Sequence, residues 1–220
     1  MSHTPSGPRT VALVGPYGSG KSTLFDALLT TAGSPPRRGA ERIAGELRLA
    51  HATFMDEPWA LIDAPGSVEF AYAAQSALAV ADIAVLVCEP DPARAATAAA
   101  MLRLLDSYGV PFIVFINRVD MLGGRARDTV AALQLFTQRP LVLRQVPIRE
   151  DADVVGYVDV VAERAYRYRR GAASDRVDVP DSIDERGREA RAGLIEVLAD
   201  HDDALLEKVV EDIAPTADEI

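Results

Sequence analysis

The sequence predicts an α/β fold, a three-layer α/β/α core with a mostly parallel sheet, followed by a smaller α+β subdomain. Three observations carry this. Short, nearly continuous apolar runs (Thr10–Val14, Ile83–Cys88, Phe112–Asn117) alternate with helical stretches, as strands buried on both faces do. The first run leads into Gly15-Pro-Tyr-Gly-Ser-Gly-Lys-Ser22, whose G-x-x-x-x-G-K-S spacing is that of a phosphate-binding loop. Composition then shifts near Arg139-Pro140: residues 139–220 hold 20 acidic and 12 basic side chains, the first 138 only 13 and 11.

Taken in order, residues 1–8 are small and polar and read as a flexible tail. Residues 9–138 read as the core. Val11 to Gly15 is a strand and Lys21 to Leu29 a helix. Residues 30–46 carry Gly33, Pro35, Pro36 and Gly39, so a loop is expected. Leu47 to Phe54 and Trp59 to Asp63 form a hairpin around Met55-Asp-Glu-Pro58. Val68–Ala81 is a helix, Ile83–Cys88 a buried strand, Ala93–Tyr108 a helix, Phe112–Asn117 a strand and Ala126–Gln138 a helix. In residues 139–220, Leu141–Ile148 and Val154–Val161 read as strands and Ala165–Arg169 as a third. An acidic helical tail opens near Pro180, with Asp200-His-Asp-Asp203 dividing it in two. No internal repeat is visible.

Composition narrows the class. Hydrophobic content of 49% and charged content of 25% are ordinary for a globular chain. A net charge of −10 opposes strong direct nucleic-acid binding. The single cysteine, Cys88, cannot form an internal disulfide. No signal peptide is evident, and Gln75, Ser76 and Asp82 interrupt the most apolar stretch, so no membrane span is expected. A cytoplasmic monomer is the expectation.

The chemistry lies in three motifs. The glycines of the phosphate loop turn backbone N–H groups inward, and the following helix adds its dipole. Gly15, Tyr17, Gly18, Ser19, Gly20, Lys21, Ser22 and Thr23 are expected to hold phosphates, with Lys21 on the β- and γ-phosphates and Ser22 on magnesium. Lys21 is one of two lysines in a chain that otherwise uses arginine, which makes its presence here telling. Asp63-Ala-Pro-Gly66 closes a strand on the same sheet edge. Asp63 can serve magnesium, and the bare Gly66 N–H can approach a γ-phosphate, placing Lys21 and Gly66 in the reaction itself. Asn117-Arg-Val-Asp120 ends the next strand. The Asp120 carboxylate can accept from N1–H and the exocyclic amine of guanine, a donor pair adenine lacks; Asn117 braces the loop and reaches the base. Bland alternatives exist for each: a glycine-rich turn, a D-x-P-G turn, and a capped strand-to-helix loop.

Phosphate loop, D-x-x-G and N-x-x-D in this order resemble the GTP-binding proteins, and with them the phosphate-loop NTPase fold. Val11–Leu29, Ala60–Phe70 and Val110–Asp120 are similar to the G domain of elongation factor G. Gln145-Val-Pro-Ile148, Gly156-Tyr-Val-Asp159, Ala165-Tyr166 and Leu205–Glu211 resemble the subdomain inserted into it. The resemblance implies GTP/GDP and Mg²⁺ as ligands, GTP hydrolysis, and the ribosome as a partner. Four departures qualify it. Ser67 stands where the family has a water-positioning histidine. Gly45 falls at the place of the switch threonine that binds magnesium. Arg118 replaces the lysine of N-K-x-D, whose stem packs near the base in that family, a role the resemblance implies for the arginine stem as well. The chain ends before the family's serine-alanine guanine loop and its preceding strand, so a divergent paralogue or fragment is expected. Binding of GTP and GDP with slow hydrolysis is the leading expectation. The alternatives are a hydrolysis-impaired switch or interaction module, and a phosphate-loop ATPase.

Overall fold

The computed structural model describes residues 9–35, 46–121, 123–151 and 153–220. The expected N-terminal tail, most of the loop after the first helix, and Gly45 lie outside them. Chain contacts form two compact units: residues up to 118 with 135–138, and residues 119–134 with 139–220.

The first unit begins with β1 (Arg9–Val14), which runs through the glycine loop into α1 (Lys21–Thr31). β2 (Arg48–Phe54) and β3 (Glu57–Asp63) form an antiparallel hairpin. α2 (Ala71–Leu78), β4 (Ile83–Cys88), α3 (Ala99–Tyr108) and β5 (Phe112–Ile116) complete it. Strand order is β2-β3-β1-β4-β5, parallel except at the hairpin. This is the mostly parallel sheet that the apolar runs predict, except that β5, an edge strand, is not covered on both faces and leaves Ile113 and Phe115 exposed. Residues 11–14 of β1 and 84–88 of β4 are buried without alternation, because helices cover both faces. Val11, Leu13, Leu61, Val85 and Val87 pack with Phe25 and Leu29 of α1 on one face.

The hairpin is tighter than expected. Phe54 pairs with Glu57, leaving only Met55 and Asp56 as the turn, with φ of 53° and 61°. Two residues at positive φ match strand twist, which is why such turns join hairpins. Pro58 then lies within β3 opposite Thr53, while pairing of β3 with β1 starts at Trp59. Its missing N–H therefore costs the β1 ladder nothing. Two expected helices begin with 3₁₀ turns, Val68–Phe70 and Pro92–Ala98. In the second, Asp91 caps by accepting from the Ala93 N–H at 2.9 Å, and the proline occupies the first position.

The second unit holds α4 (Ala126–Gln134), then β6 (Gln145–Glu150), β7 (Asp153–Asp159), β8 (Arg164–Arg167) and β9 (Asp175–Val177) as an antiparallel meander. α5 (Asp181–Ala199) and α6 (Asp203–Val210) follow, divided where the acidic tetrad predicts. Asp202 caps α6 by accepting from Ala204 and Leu205 N–H groups. Val146, Ile148, Val158, Val160 and Ala165 pack against Ile183 and Leu194 of α5. Gly156 is required at its place, since a Cβ there would collide with the Tyr166 carbonyl of the adjoining strand. Strand β9 has no sequence signal: its three residues are all exposed and show no apolar alternation. Arg191 of α5 is buried and gives guanidinium hydrogen bonds to the carbonyls of Val160, Val161 and Pro215 at 2.8, 2.6 and 2.6 Å.

Candidate nucleotide-binding site

The glycine loop takes the backbone path its composition allows. Gly15, Gly18 and Gly20 have φ of 139°, 77° and 97°, values that other residues adopt only with strain. Gly15 must also be bare, because a Cβ would lie against the backbone of Val87 in β4. Gly20 occupies the N-cap of α1 in the left-handed region and has no side chain to cap it. The Ser19 side chain is 2% exposed, and its hydroxyl has no hydrogen-bond partner among the described residues. An orphaned buried hydroxyl in a concave glycine loop suits a ligand rich in acceptor oxygens. Tyr17 is 82% exposed at the loop's tip, Ser22 is half-buried and Thr23 exposed.

Lys21 folds back over this loop. Its Nζ donates to the Gly15 and Pro16 carbonyls at 2.9 and 2.8 Å. Burial pushes its pKa below the usual lysine value, while the Asp63 carboxylate opposes that shift. A buried ammonium with two carbonyl partners is held in place for an anion and is not a surface charge.

The other two motifs meet the loop. A Cβ on Gly66 would stand 2.5 Å from the Gly15 carbonyl oxygen and 2.6 Å from the Pro16 carbonyl carbon, and would collide with Lys21 Nζ. The D-x-P-G turn thus lies directly on the phosphate loop, and only glycine permits it. Asp63, at the end of β3, is buried. Asn117 follows β5, its Nδ2 donating to the Ser19 carbonyl at 2.8 Å and its N–H to the Cys88 carbonyl at 2.8 Å. Arg118 has φ of 55°, and its guanidinium pairs with Glu89 at 2.5 Å. Glu89 is shared with Arg94. Asp120 is exposed in the 3₁₀ turn Val119–Met121, which belongs to the second compact unit. The phosphate loop, Gly66 and Asn117 are therefore brought together within the first unit.

One neighbour escaped the motif reading. Arg48 of β2 reaches Asp26 of α1 with Nη2 at 2.6 Å and Asp63 with Nη1 at 3.5 Å, its guanidinium 4.5 Å from the Phe25 ring centre. Arg48 shares the core-facing register of Ala50 and Ala52, whereas Leu49 between them is exposed. Ser67, in the histidine position, gives its hydroxyl to Glu69 at 3.0 Å. Burial and then Glu89 raise the Cys88 thiol to about 12, which leaves it an inert core residue.

The residues present fit a magnesium-bound nucleoside phosphate: an uncapped helix N-terminus, a buried lysine, an orphaned hydroxyl and a buried carboxylate at one sheet edge. Residues 46–212 match the elongation factor Tu GTP binding domain family. That stretch starts beyond the phosphate loop, so the loop is independent support. An elongation factor G-like protein of Synechocystis sp. is 36% identical, over 96% of this chain and 34% of that protein. A crystal structure from Thermus thermophilus superposes with a TM-score of 0.82 at 29% identity, covering 96% of this chain and 34% of that one. This chain thus spans about a third of the length of either relative. It belongs to the family of elongation factor Tu GTP-binding domains and is homologous to the corresponding domain of elongation factor G.

Proposed function

We propose that this chain binds GTP and GDP with magnesium and hydrolyses GTP slowly. The observation that best supports binding is the meeting of three motifs: Gly66 lies on Gly15 and Pro16, and Asn117 holds the Ser19 carbonyl, around a buried Lys21. In this reading the loop N–H groups from Gly15 to Thr23 take the phosphates, with Lys21 supplying positive charge. Ser22 and Asp63 hold the metal. The Gly66 N–H reads the terminal phosphate, and Asp120 selects guanine. Magnesium, when bound, would neutralise charge building on the phosphate oxygens.

Slow turnover follows from Ser67. Its hydroxyl is engaged by Glu69, and a serine does not offer the paired donor and acceptor nitrogens of an imidazole. The described histidines, His51 on β2 and His201 after α5, are exposed, and neither follows the D-x-P-G motif. Hydrolysis then rests on electrostatic stabilisation by Lys21 and the metal without an oriented water.

Thermal melting with GTP, GDP and ATP in magnesium tests the assignment. Nucleotide at 100 times its Kd stabilises by about 2.7 kcal/mol, which for a unit of this size raises Tm by roughly 5–10 °C. Guanine nucleotides should do so and ATP should not, and Asp120→Asn should remove the preference. Equal shifts with ATP, or none with any nucleotide, would overturn the reading. Single-turnover GTP hydrolysis with and without ribosomes then tests the slow step; a fast rate without ribosomes contradicts it.

A further inference from the structure

We propose that Arg48 is a tethered counter-cation at Asp63, so that magnesium binding in this site is an exchange between the metal and a guanidinium. The proposal rests on the nucleotide reading above and adds a residue to it. Among the described residues Arg48 is the sole ion-pair partner of Asp63. Lys21 Nζ is turned to the Gly15 and Pro16 carbonyls instead.

The two arms of the guanidinium are unequal. Nη2 sits 2.6 Å from Asp26 Oδ1, a charge-assisted hydrogen bond, whereas Nη1 is 3.5 Å from Asp63 Oδ2, at the limit of one. The Phe25 ring, 4.5 Å from the guanidinium carbon, adds a cation–π contact. Asp26 and Phe25 therefore anchor the group, and the arm toward Asp63 is the one that yields. The Asp63 side chain is 5% exposed, so the field of Arg48 on it is weakly screened.

Two consequences follow. A divalent cation that uses the Asp63 carboxylate meets a positive charge already on it, so the metal binds less tightly than at a free carboxylate. Without metal, the guanidinium offsets the repulsion between Asp63 and the nucleotide phosphates, so nucleotide affinity survives magnesium removal. The positive field of Arg48, 3.5 Å from the carboxylate, acts on any cation bound there.

The test is a titration of fluorescent N-methylanthraniloyl-GDP into the full chain, from EDTA to millimolar magnesium. Arg48→Ala is expected to lower the magnesium midpoint several-fold and to weaken metal-free GDP binding several-fold. Asp26→Asn frees the fork to settle on Asp63 and is expected to raise the midpoint. Circular dichroism checks folding. Should Arg48→Ala not fold, Arg48→Gln, which keeps most of the stem, decides by the same shift. GDP binding with a magnesium midpoint unchanged by loss of the guanidinium overturns the role of Arg48 alone. Absence of GDP binding in the wild type overturns the functional reading and this one together.

Discussion

Asn117→Ala tests how the base-side loop is coupled to the phosphate loop. The Asn117 amide donates to the Ser19 carbonyl at 2.8 Å in a part-buried setting and stands against Gly20, where an added Cβ would collide with Nδ2. Truncation removes the donor and leaves the Ser19 carbonyl unpaired, a change of about 1–3 kcal/mol. It also opens space beside Gly20, whose φ of 97° is held only by its surroundings. The loop conformation is needed before any phosphate can bind, so the same energy enters the binding constant. At about 1.4 kcal/mol per decade, GDP and GTP should bind roughly 5–150-fold more weakly. Isothermal titration calorimetry of both nucleotides measures this. Because the bond reaches the phosphate loop, the loss should be similar for GTP, GDP and a triphosphate lacking the base. Unchanged affinity would show that the loop keeps its shape unaided. A loss confined to guanine nucleotides would show that Asn117 acts on the base only. Either result refutes the coupling.

Further predictions concern the scaffold. Arg191→Ala leaves the Val160, Val161 and Pro215 carbonyls without their shared donor, and should destabilise the second unit by about 3–5 kcal/mol, read by urea unfolding followed at sheet-specific circular dichroism. Asp159 is pushed upward by burial, but Arg144 and the N–H groups of Ala162 and Val161 outweigh this and hold its carboxyl below the ordinary 3.8. The stability it contributes is therefore present above about 3.8 and is lost as pH falls through the lower folded value. Asp159→Asn should lower stability at neutral pH and flatten the acid limb of the stability–pH curve, and an unaltered limb would contradict the assignment. Met55→Asn with Asp56→Gly suits the two positive-φ turn positions and should raise Tm, with a gain of about 1 kcal/mol.

Local chemistry was enough for the sequence to determine much of this protein. Glycine positions, the residues at strand ends and the unbroken apolar runs of β1 and β4 are decided within a few residues, by backbone sterics and by burial on both faces. The phosphate loop, the Asp63–Gly66 turn and the N-x-x-D motif are therefore readable in order along the chain, as are the strands β6, β7 and β8 and the break between α5 and α6. What only the tertiary structure decided depends on groups far apart in sequence. Gly66 resting on Gly15 and Pro16, and Asn117 reaching Ser19 across 98 positions, are long-range contacts with no local signature. Strand β9 exists through pairing with β8 and not through its own composition. Arg48 is the sharpest case. In sequence it is one arginine among many; only the register of β2 against β3 and the packing of α1 beneath them set its charge between Asp26 and Asp63.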